Sequence, residues 1–183
     1  MKTLTLFFFF VFTTLFTANA QITKGNWMVG GSTYFGTSKA ESDSSTSEGT
    51  SINMFANIGY FPLDKLVVGL TPSVGYSKTK GNSDSNTGFG IGAFTRYYFL
   101  KPDKRINLFT HLEYTTYNNY TSGKKTNTSN NFIVKGGPVI YLNSSVGLEL
   151  TLNYENTKAN SAFGNSIFNT FNLGLGFQIH LEK

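Results

Sequence analysis

The sequence predicts an all-β fold, an eight-stranded antiparallel up-and-down transmembrane β-barrel, and two patterns support this fold class. Apolar residues alternate with small or polar residues in eight separate segments, which is the period of a strand with two different faces. The connections between the segments are alternately short and long, as in a barrel that carries tight turns at one end and loops at the other. We therefore expect one barrel domain without a linker.

The eight segments follow one another along the chain with apolar faces of similar length. These faces cover residues 27–35, 52–60, 68–76, 89–99, 106–114, 132–142, 146–154 and 171–181. We expect strands of about 10 to 14 residues, enough to cross an apolar layer that needs about 9 to 11. Short turns are predicted near 62–65, 100–105 and 143–145, and longer polar loops near 38–50, 78–86, 118–130 and 156–166. An even strand number puts both termini at the short-turn end.

The first residues have the features of a secretory leader. Lys2 precedes an apolar run from Leu4 to Phe16, and Ala18-Asn19-Ala20 forms a small-x-small cleavage site. The run is shorter than the roughly 20 apolar residues of a spanning helix, so an uncleaved anchor is the weaker interpretation. The sequence thus predicts a signal peptide at 1–20 and a single barrel domain at 21–183.

Composition excludes several classes of protein. The chain has no Cys, which excludes disulfides, thiolate metal sites and a lipidated N-terminal Cys. Charged residues make up 14% of the chain, against roughly 25% in a typical soluble domain. The net charge of +5 is a weak signal for anionic partners, and we expect no nucleic-acid partner.

The charges indicate which face of each strand points outward. All charged residues within the strand bodies lie on the less apolar face, together with both histidines: Arg96, Glu113, Lys135 and Glu149, with His111 and His180. A soluble ligand-binding barrel would expose this Gly- and Asn-rich face to water, for which it has too few charges. Aromatic residues near both ends of the apolar face are typical of the two membrane interfaces. We therefore predict that the apolar face contacts lipid.

These features together resemble the small outer-membrane β-barrel family, the OmpA/OmpX-like barrels. The resemblance covers nearly the whole mature chain, from Gly25-Asn26-Trp27-Met28-Val29-Gly30-Gly31 to Phe171-Asn172-Leu173-Gly174-Leu175-Gly176-Phe177. It implies a location in the outer membrane of a Gram-negative bacterium with periplasmic termini. It also implies contact with outer-membrane lipid and assembly by the barrel-insertion machinery. The family's last strand usually ends on an aromatic residue, whereas this chain ends Leu181-Glu182-Lys183.

The lumen is predicted to hold a charge network. Its members are Arg96, His111, Glu113, Lys135 and Glu149. Folding the strands about their connections puts Glu113 almost opposite Lys135. It puts Arg96 diagonally near His111, and it puts Glu149 closer to the short-turn end, near Val139. Because buried charges are tolerated when they are paired, we interpret the network as a plug of a narrow bore, with a gated ion path as the alternative.

No catalytic or metal site is predicted. A lipid-modifying enzyme of the outer leaflet would need a Ser nucleophile beside a His and a carboxylate, and no Ser accompanies His111 and Glu113 in the strand pattern. His180 is predicted near the short-turn, periplasmic end of the barrel, which is the wrong side for a lipid of the outer leaflet. Two distant histidines also make a poor metal site, and no cofactor is expected.

The predicted loops and two prolines complete the expectations. Lysines in two of the loops are predicted to contact lipopolysaccharide phosphates: Lys78, Lys80, Lys124 and Lys125. We expect bulges at Pro72 and Pro138, because a mid-strand Pro lacks a ladder donor. The favoured function is structural or surface interaction through the loops, with an extracellular ligand of unknown identity among the expected partners. A narrow channel or small-solute transport barrel is the alternative.

Overall fold

A computed structural model describes residues 22–42, 45–81, 84–161 and 164–181. The strands are β1 (Trp27–Ser42), β2 (Ser45–Leu63), β3 in two segments (Leu66–Leu70 and Ser73–Thr79), β4 (Ser85–Tyr98), β5 (Ile106–Thr121), β6 (Lys124–Tyr141), β7 (Val146–Ser161) and β8 (Gly164–Leu181). Each strand pairs antiparallel with its sequence neighbours, and β8 pairs with β1, so the sheet closes into a ring of eight strands. The predicted fold class is confirmed. The predicted leader and the Glu182-Lys183 end lie outside the described residues.

Six of the eight strands are longer than predicted, and the segments expected to be polar loops are largely strand. β1 has 16 residues and β2 has 19, so the expected length of about 10 to 14 was wrong. The Thr- and Asn-rich segments continue the ladder because Thr favours strands and their side chains pair across it. Asn119 donates to Asn127 at 2.5 Å, and Thr128 donates to Asn118 at 3.1 Å. The connections that follow β1, β3, β5 and β7 form four hairpins at one end of the barrel, which we call the hairpin end. We call the opposite end, near Ile22 and Leu181, the turn end.

Pro72 interrupts β3 without the expected bulge. The pairs with β2 on either side are Ile58 with Leu70 and Phe55 with Ser73, which keep one register. The Ala56 amide donates to the Pro72 carbonyl at 3.0 Å, and Pro72, which has no N–H, cannot donate in return. Thr71 and Gly92 exchange both of their backbone hydrogen bonds, at 3.0 and 3.2 Å. The Pro therefore removes one ladder donor and leaves the faces of the strand unchanged.

Pro138 also leaves the register unchanged. The pairs of β6 with β7 on either side are Gly136 with Leu152 and Val139 with Glu149, which again keep one register. The register shifts instead between Tyr60 and Leu63 in β2 and between Asn119 and Tyr120 in β5, close to the strand ends. Bulges at strand ends re-aim a connection without reversing the faces of a strand body, whereas a shift at a mid-strand Pro would reverse them.

The outer surface carries a continuous band of exposed apolar side chains. We call this band the apolar belt; its members include Val68, Leu70, Val74, Ile91, Leu108, Leu112, Leu148, Leu150, Leu152, Leu173, Leu175 and Phe177. Aromatic pairs lie beside the belt near the turn end, with Trp27 and Tyr60 ring centroids 5.3 Å apart and Tyr97 and Phe99 also 5.3 Å apart. The described residues contain no helix that is long and apolar enough to cross a membrane.

The inward faces pack tightly near the turn end. Nine apolar or aromatic side chains form this basal core: Ile22, Met28, Phe61, Val67, Phe94, Tyr98, Phe109, Val139 and Tyr141. Small residues between them let these large side chains fill the narrow bore. A Cβ atom built on Gly59, for example, would lie 2.4 Å from the Val67 Cγ1 atom. The basal core therefore closes the turn end of the lumen.

Gly137 provides a test of how closely β6 and β7 approach beside Pro138. A Cβ atom at this position would lie 2.0 Å from the Leu150 carbonyl oxygen, which belongs to the backbone and cannot rotate away. Gly137→Ala is expected to lower the free energy of unfolding by about 1 to 3 kcal/mol, through overpacking. The matched control is Gly176→Ala, whose Cβ would lie 3.8 Å from its nearest neighbour, Glu149 Oε2. Urea unfolding in detergent measures both, and equal midpoints for the two variants would contradict this close approach.

Candidate functional site in the lumen

A buried ion pair joins two distant strands across the lumen. The Arg96 guanidinium of β4 donates to Glu149 Oε1 of β7 at 2.5 Å, and the two side chains are 1% and 6% exposed. The guanidinium carbon also lies 4.2 Å from the centroid of the Phe109 ring, which is close enough for a cation–π contact. Arg96 is thus held by charge on one side and by an aromatic face on another.

His111 connects this ion pair to a second carboxylate. Arg96 Nε donates to His111 Nδ1 at 3.2 Å, and His111 Nε2 lies 3.0 Å from Glu113 Oε2. Because an Arg nitrogen can only donate, Nδ1 must accept, which leaves the imidazole proton on Nε2 to be donated to Glu113. The neighbouring Phe94 ring stacks on the imidazole at 4.8 Å and fixes its plane. His111 therefore acts as a neutral bridge between a cation and an anion.

Lys135 completes the network near the middle of the barrel. Its ammonium lies 3.4 Å from Glu113 Oε2, and its side chain is 20% exposed. The four charged groups comprise two cations and two carboxylates, and with a neutral His111 their charges balance. A balanced and hydrogen-bonded set is the form in which charges are tolerated in a protein interior. The structure thus brings all five predicted lumen residues into one chain of contacts.

Two of the predicted relative positions in the charge network differ from the strand register in the structure. Arg96 lies directly opposite His111, not diagonal to it. The residue opposite His111 on β6 is Lys135, so Glu113 and Lys135 meet diagonally and not across the ladder. The midpoints of the predicted connections 100–105 and 118–130 differ by about one residue from the centres of the two ladders, and this difference gave the wrong offsets. Glu149 lies opposite Val139, as predicted.

Tyr98 is a member of the site that the sequence analysis missed. Its hydroxyl accepts from Arg96 Nη1 at 3.3 Å and lies 3.2 Å from Gln178 Oε1, to which it can donate. The hydroxyl thereby links the charge network to β8 just above the basal core. Its position was detectable, because Tyr98 follows Arg96 by two residues and so shares its lumen face. It was missed because only charged residues and histidines were considered.

Above the network the lumen widens into a cavity. On β5 the inward residues are buried from Asn107 to Thr115, and beyond Thr115 both faces become partly exposed. The cavity has a volume of about 570 Å³, with Glu113 and Lys135 at its floor and Tyr34 and Asn119 toward the hairpin end. We call it the cup. The inside of the barrel therefore has three layers, the cup, the charge network and the basal core.

Glycines in β4 make room for the Tyr117 ring in the wall of the cup. Cβ atoms at Gly88 and Gly90 would lie 2.2 and 2.6 Å from atoms of Tyr117. These alternating glycines were not predicted to position a site. In the structure they form a flat bed on which the Tyr117 ring lies.

The predicted lysines lie at the hairpin end, away from the network. Lys78, Lys124 and Lys125 are exposed, and Lys80 is paired with Glu48 at 2.9 Å. This ion pair partly neutralises one of the four cations. Contact of these lysines with lipopolysaccharide stays a prediction.

The described part of the chain offers no candidate metal site, and comparisons of the sequence found no relative. The described residues hold no group of three or more His, Cys, Asp or Glu side chains placed to bind a metal ion. No protein-family model matches the chain, and no curated protein matches it in sequence.

The solved structures that are similar to the chain include the following two. The outer membrane protein OprG from Pseudomonas aeruginosa is 11% identical, with a TM-score of 0.54, over 91% of this chain and all of OprG. The Neisserial surface protein A (NspA) is 16% identical, with a TM-score of 0.49, over 87% of this chain and 98% of NspA. At the identity of OprG the likeness establishes the fold. The predicted resemblance to small eight-stranded outer-membrane barrels is confirmed at that level.

The ion pair between Arg96 and Glu149 predicts a large effect of removing one charge. Glu149→Gln leaves a buried guanidinium without its counter-charge and is expected to lower the free energy of unfolding by about 3 to 5 kcal/mol. The double variant Arg96→Met with Glu149→Gln removes both charges and is expected to lose less than the single variant. Urea unfolding, followed by the fluorescence of Trp27, the one Trp of the chain, measures both.

The matched control makes the same chemical change at an exposed ion pair. Glu48→Gln removes the partner of Lys80, whose side chain is 79% exposed, and is expected to change stability by less than about 1 kcal/mol. A similar loss for Glu48→Gln and Glu149→Gln would show that burial does not determine the value of the pair.

Proposed function

We propose that this chain is an integral outer-membrane barrel of a Gram-negative bacterium, with a structural or surface-interaction role carried by its polar hairpins. The observation that carries the proposal is the apolar belt on a closed ring of strands. In this arrangement the hairpin end faces the exterior and the turn end faces the periplasm. The polar segments that extend the strands beyond the apolar belt at the hairpin end support that orientation, because outer-membrane barrels are longer on the external side than on the periplasmic side.

The belt supports membrane residence on physical grounds. Its side chains are large and well exposed, with Leu173 and Leu175 at 76% and 75% and Leu152 at 58%. Monomeric soluble proteins rarely expose a contiguous apolar patch larger than a few hundred Å². Closure of the ring by the five pairs of β1 with β8, from Trp27 with Leu181 to Gly31 with Phe177, satisfies backbone groups that an open sheet would leave unpaired in lipid. A lipid environment suits both features.

The layers inside the barrel favour a closed lumen over a channel. A permeating ion would have to pass the charge network and then the basal core, where Met28, Phe61 and Val67 are fully buried. The cup, in contrast, lies on the hairpin-end side of the charge network. These features support a barrel that presents surfaces to the exterior and does not conduct through its bore.

A lipid-modifying enzyme is disfavoured by the contacts of His111. Both of its ring nitrogens are engaged, one by Arg96 and the other by Glu113. A general base must be within reach of the proton it removes, and neither nitrogen is available to a Ser hydroxyl in this arrangement. We therefore propose a non-enzymatic role.

Membrane residence is tested by placing a charge on the belt. Leu173→Arg is expected to destabilise the barrel by about 2 to 4 kcal/mol, the cost of Arg near the midplane of a bilayer on a lipid-facing strand position. The matched control is Ile167→Arg on the same face of β8, where Ile167 is 64% exposed and lies opposite Lys158, beyond the belt. The control is expected to be nearly neutral. Unfolding titrations in lipid vesicles provide the comparison.

Fractionation decides the location directly. The wild-type chain is expected in the outer-membrane fraction, with a gel mobility that changes on boiling because the closed barrel resists cold detergent. Recovery of the chain as a soluble periplasmic protein, with Leu173→Arg and Ile167→Arg equally tolerated, would overturn the proposal.

The closed lumen is tested by conductance. Glu113→Gln and Lys135→Met alter the charge network and leave the basal core in place, so both variants are expected to be as non-conducting as wild type in planar bilayers. Ion currents that appear or change with either substitution would support the gated path instead. A heat-modifiable band for each variant shows that the barrel has assembled.

A further inference from the structure

The turn end carries a groove lined by cations. Lys65 from the turn between β2 and β3 and three residues of the connection between β4 and β5, Lys101, Lys104 and Arg105, line a surface groove of about 690 Å³. No described ion pair involves any of the four. Asp103 is the one carboxylate of the same connection, and Asp64 already accepts from the Lys24 amide at 2.8 Å. The groove therefore has an excess of positive charge.

The floor of the groove is apolar and continues the belt. Phe99, Leu100 and Ile106 line it and are 52%, 40% and 52% exposed. Ile106 begins β5, and the next outward residue of that strand is Leu108, a member of the apolar belt. The four cations thus lie at the boundary where the belt ends. A cationic rim directly beside an apolar wall is complementary to a molecule with an anionic head and an acyl chain.

The connection that carries the cations is held rigidly. Asn107 is fully buried, and its side chain accepts from the Leu100 amide at 2.9 Å and donates to the carbonyls of Leu100 and Lys101 at 3.2 and 3.4 Å. The Tyr141 amide donates to the Arg105 carbonyl at 2.8 Å and fixes the other end. A binding surface that is already ordered loses less conformational entropy on binding.

Lys65 occupies a backbone position that rarely holds a Lys. Its φ is 67°, in the left-handed region that turns usually assign to Gly or Asn. Its amide donates to the Ile22 carbonyl, and its own carbonyl accepts from the Tyr98 amide, each at 2.9 Å. The turn is therefore tied to the wall on both sides, with the Lys65 side chain at the edge of the groove.

We propose that this groove binds the headgroup of an anionic phospholipid in the membrane leaflet at the turn end. The four cations contact the phosphate, and an acyl chain lies along Phe99, Ile106 and the adjoining belt. Basic pockets at the membrane surface are a recognised mode of binding anionic lipid headgroups. The inference rests on the proposed membrane residence of the barrel.

The test measures which lipid stays bound to the folded barrel. The full barrel is reconstituted in vesicles of equal phosphatidylglycerol and phosphatidylethanolamine with identical acyl chains, so that only the headgroups differ. After extraction in mild detergent, native mass spectrometry counts the retained lipids. Wild type is expected to retain phosphatidylglycerol at least about tenfold over phosphatidylethanolamine, and Lys101→Gln with Lys104→Gln to lose most of that preference, at about fivefold per charge.

Two controls separate the groove from general charge. Lys124→Gln with Lys125→Gln removes the same charge at the hairpin end and is expected to keep the preference, as is the charge-conserving Lys104→Arg. Equal retention of the two lipids by wild type, or an equal loss of preference in the Lys124 and Lys125 variant, would overturn the inference while membrane residence stands. Failure of the wild-type chain to float with vesicles would overturn the proposed function, and the inference with it.

Discussion

Closure of the sheet by pairing of β1 with β8 is the constraint on which the rest of the structure depends. Five pairs, from Trp27 with Leu181 to Gly31 with Phe177, join the two ends of the chain. Without them the ring would have two open edges, each with unpaired backbone groups. With them each strand has one face toward a bore and one toward the surroundings, and the alternation in the sequence becomes an inside and an outside.

Closure also sets what the bore can hold. A ring of about eight strands is just wide enough to be filled by side chains, so charges on the inward face must meet one another or remain unpaired. Arg96, Glu149, Glu113 and Lys135 come from four different strands, and they meet only because the ring is narrow. His111 fits between the two pairs as a neutral link. The charge network is thus a consequence of strand number as much as of residue choice.

The strand faces were predictable from the sequence, whereas offsets and strand ends were not. Period-two alternation assigns Leu173 outward and Glu149 inward without any knowledge of neighbours. The offset between Arg96 and His111 depends on the geometry of the turn 99–105, which composition does not specify. The polar segments beyond Thr115 were predicted to be loops because strands were predicted from the alternation of apolar residues. There the ladder is continued by Asn and Thr side chains that pair across strands. Pro72 looked like a bulge because a lost donor suggested a shift, yet one missing hydrogen bond is less costly than reversing both faces of a strand.

The change from buried to partly exposed inward residues at Thr115 divides the molecule into regions of different local stability. Toward the turn end each amide is protected by the ladder and by packed side chains inside the bore. Toward the hairpin end the ladder has no packed core behind it, so opening of a hairpin breaks hydrogen bonds but exposes little new apolar surface. The protection of backbone amides against solvent exchange is therefore graded along the barrel axis. Insertions or sequence drift in the outer hairpins are absorbed there without disturbing the fold below.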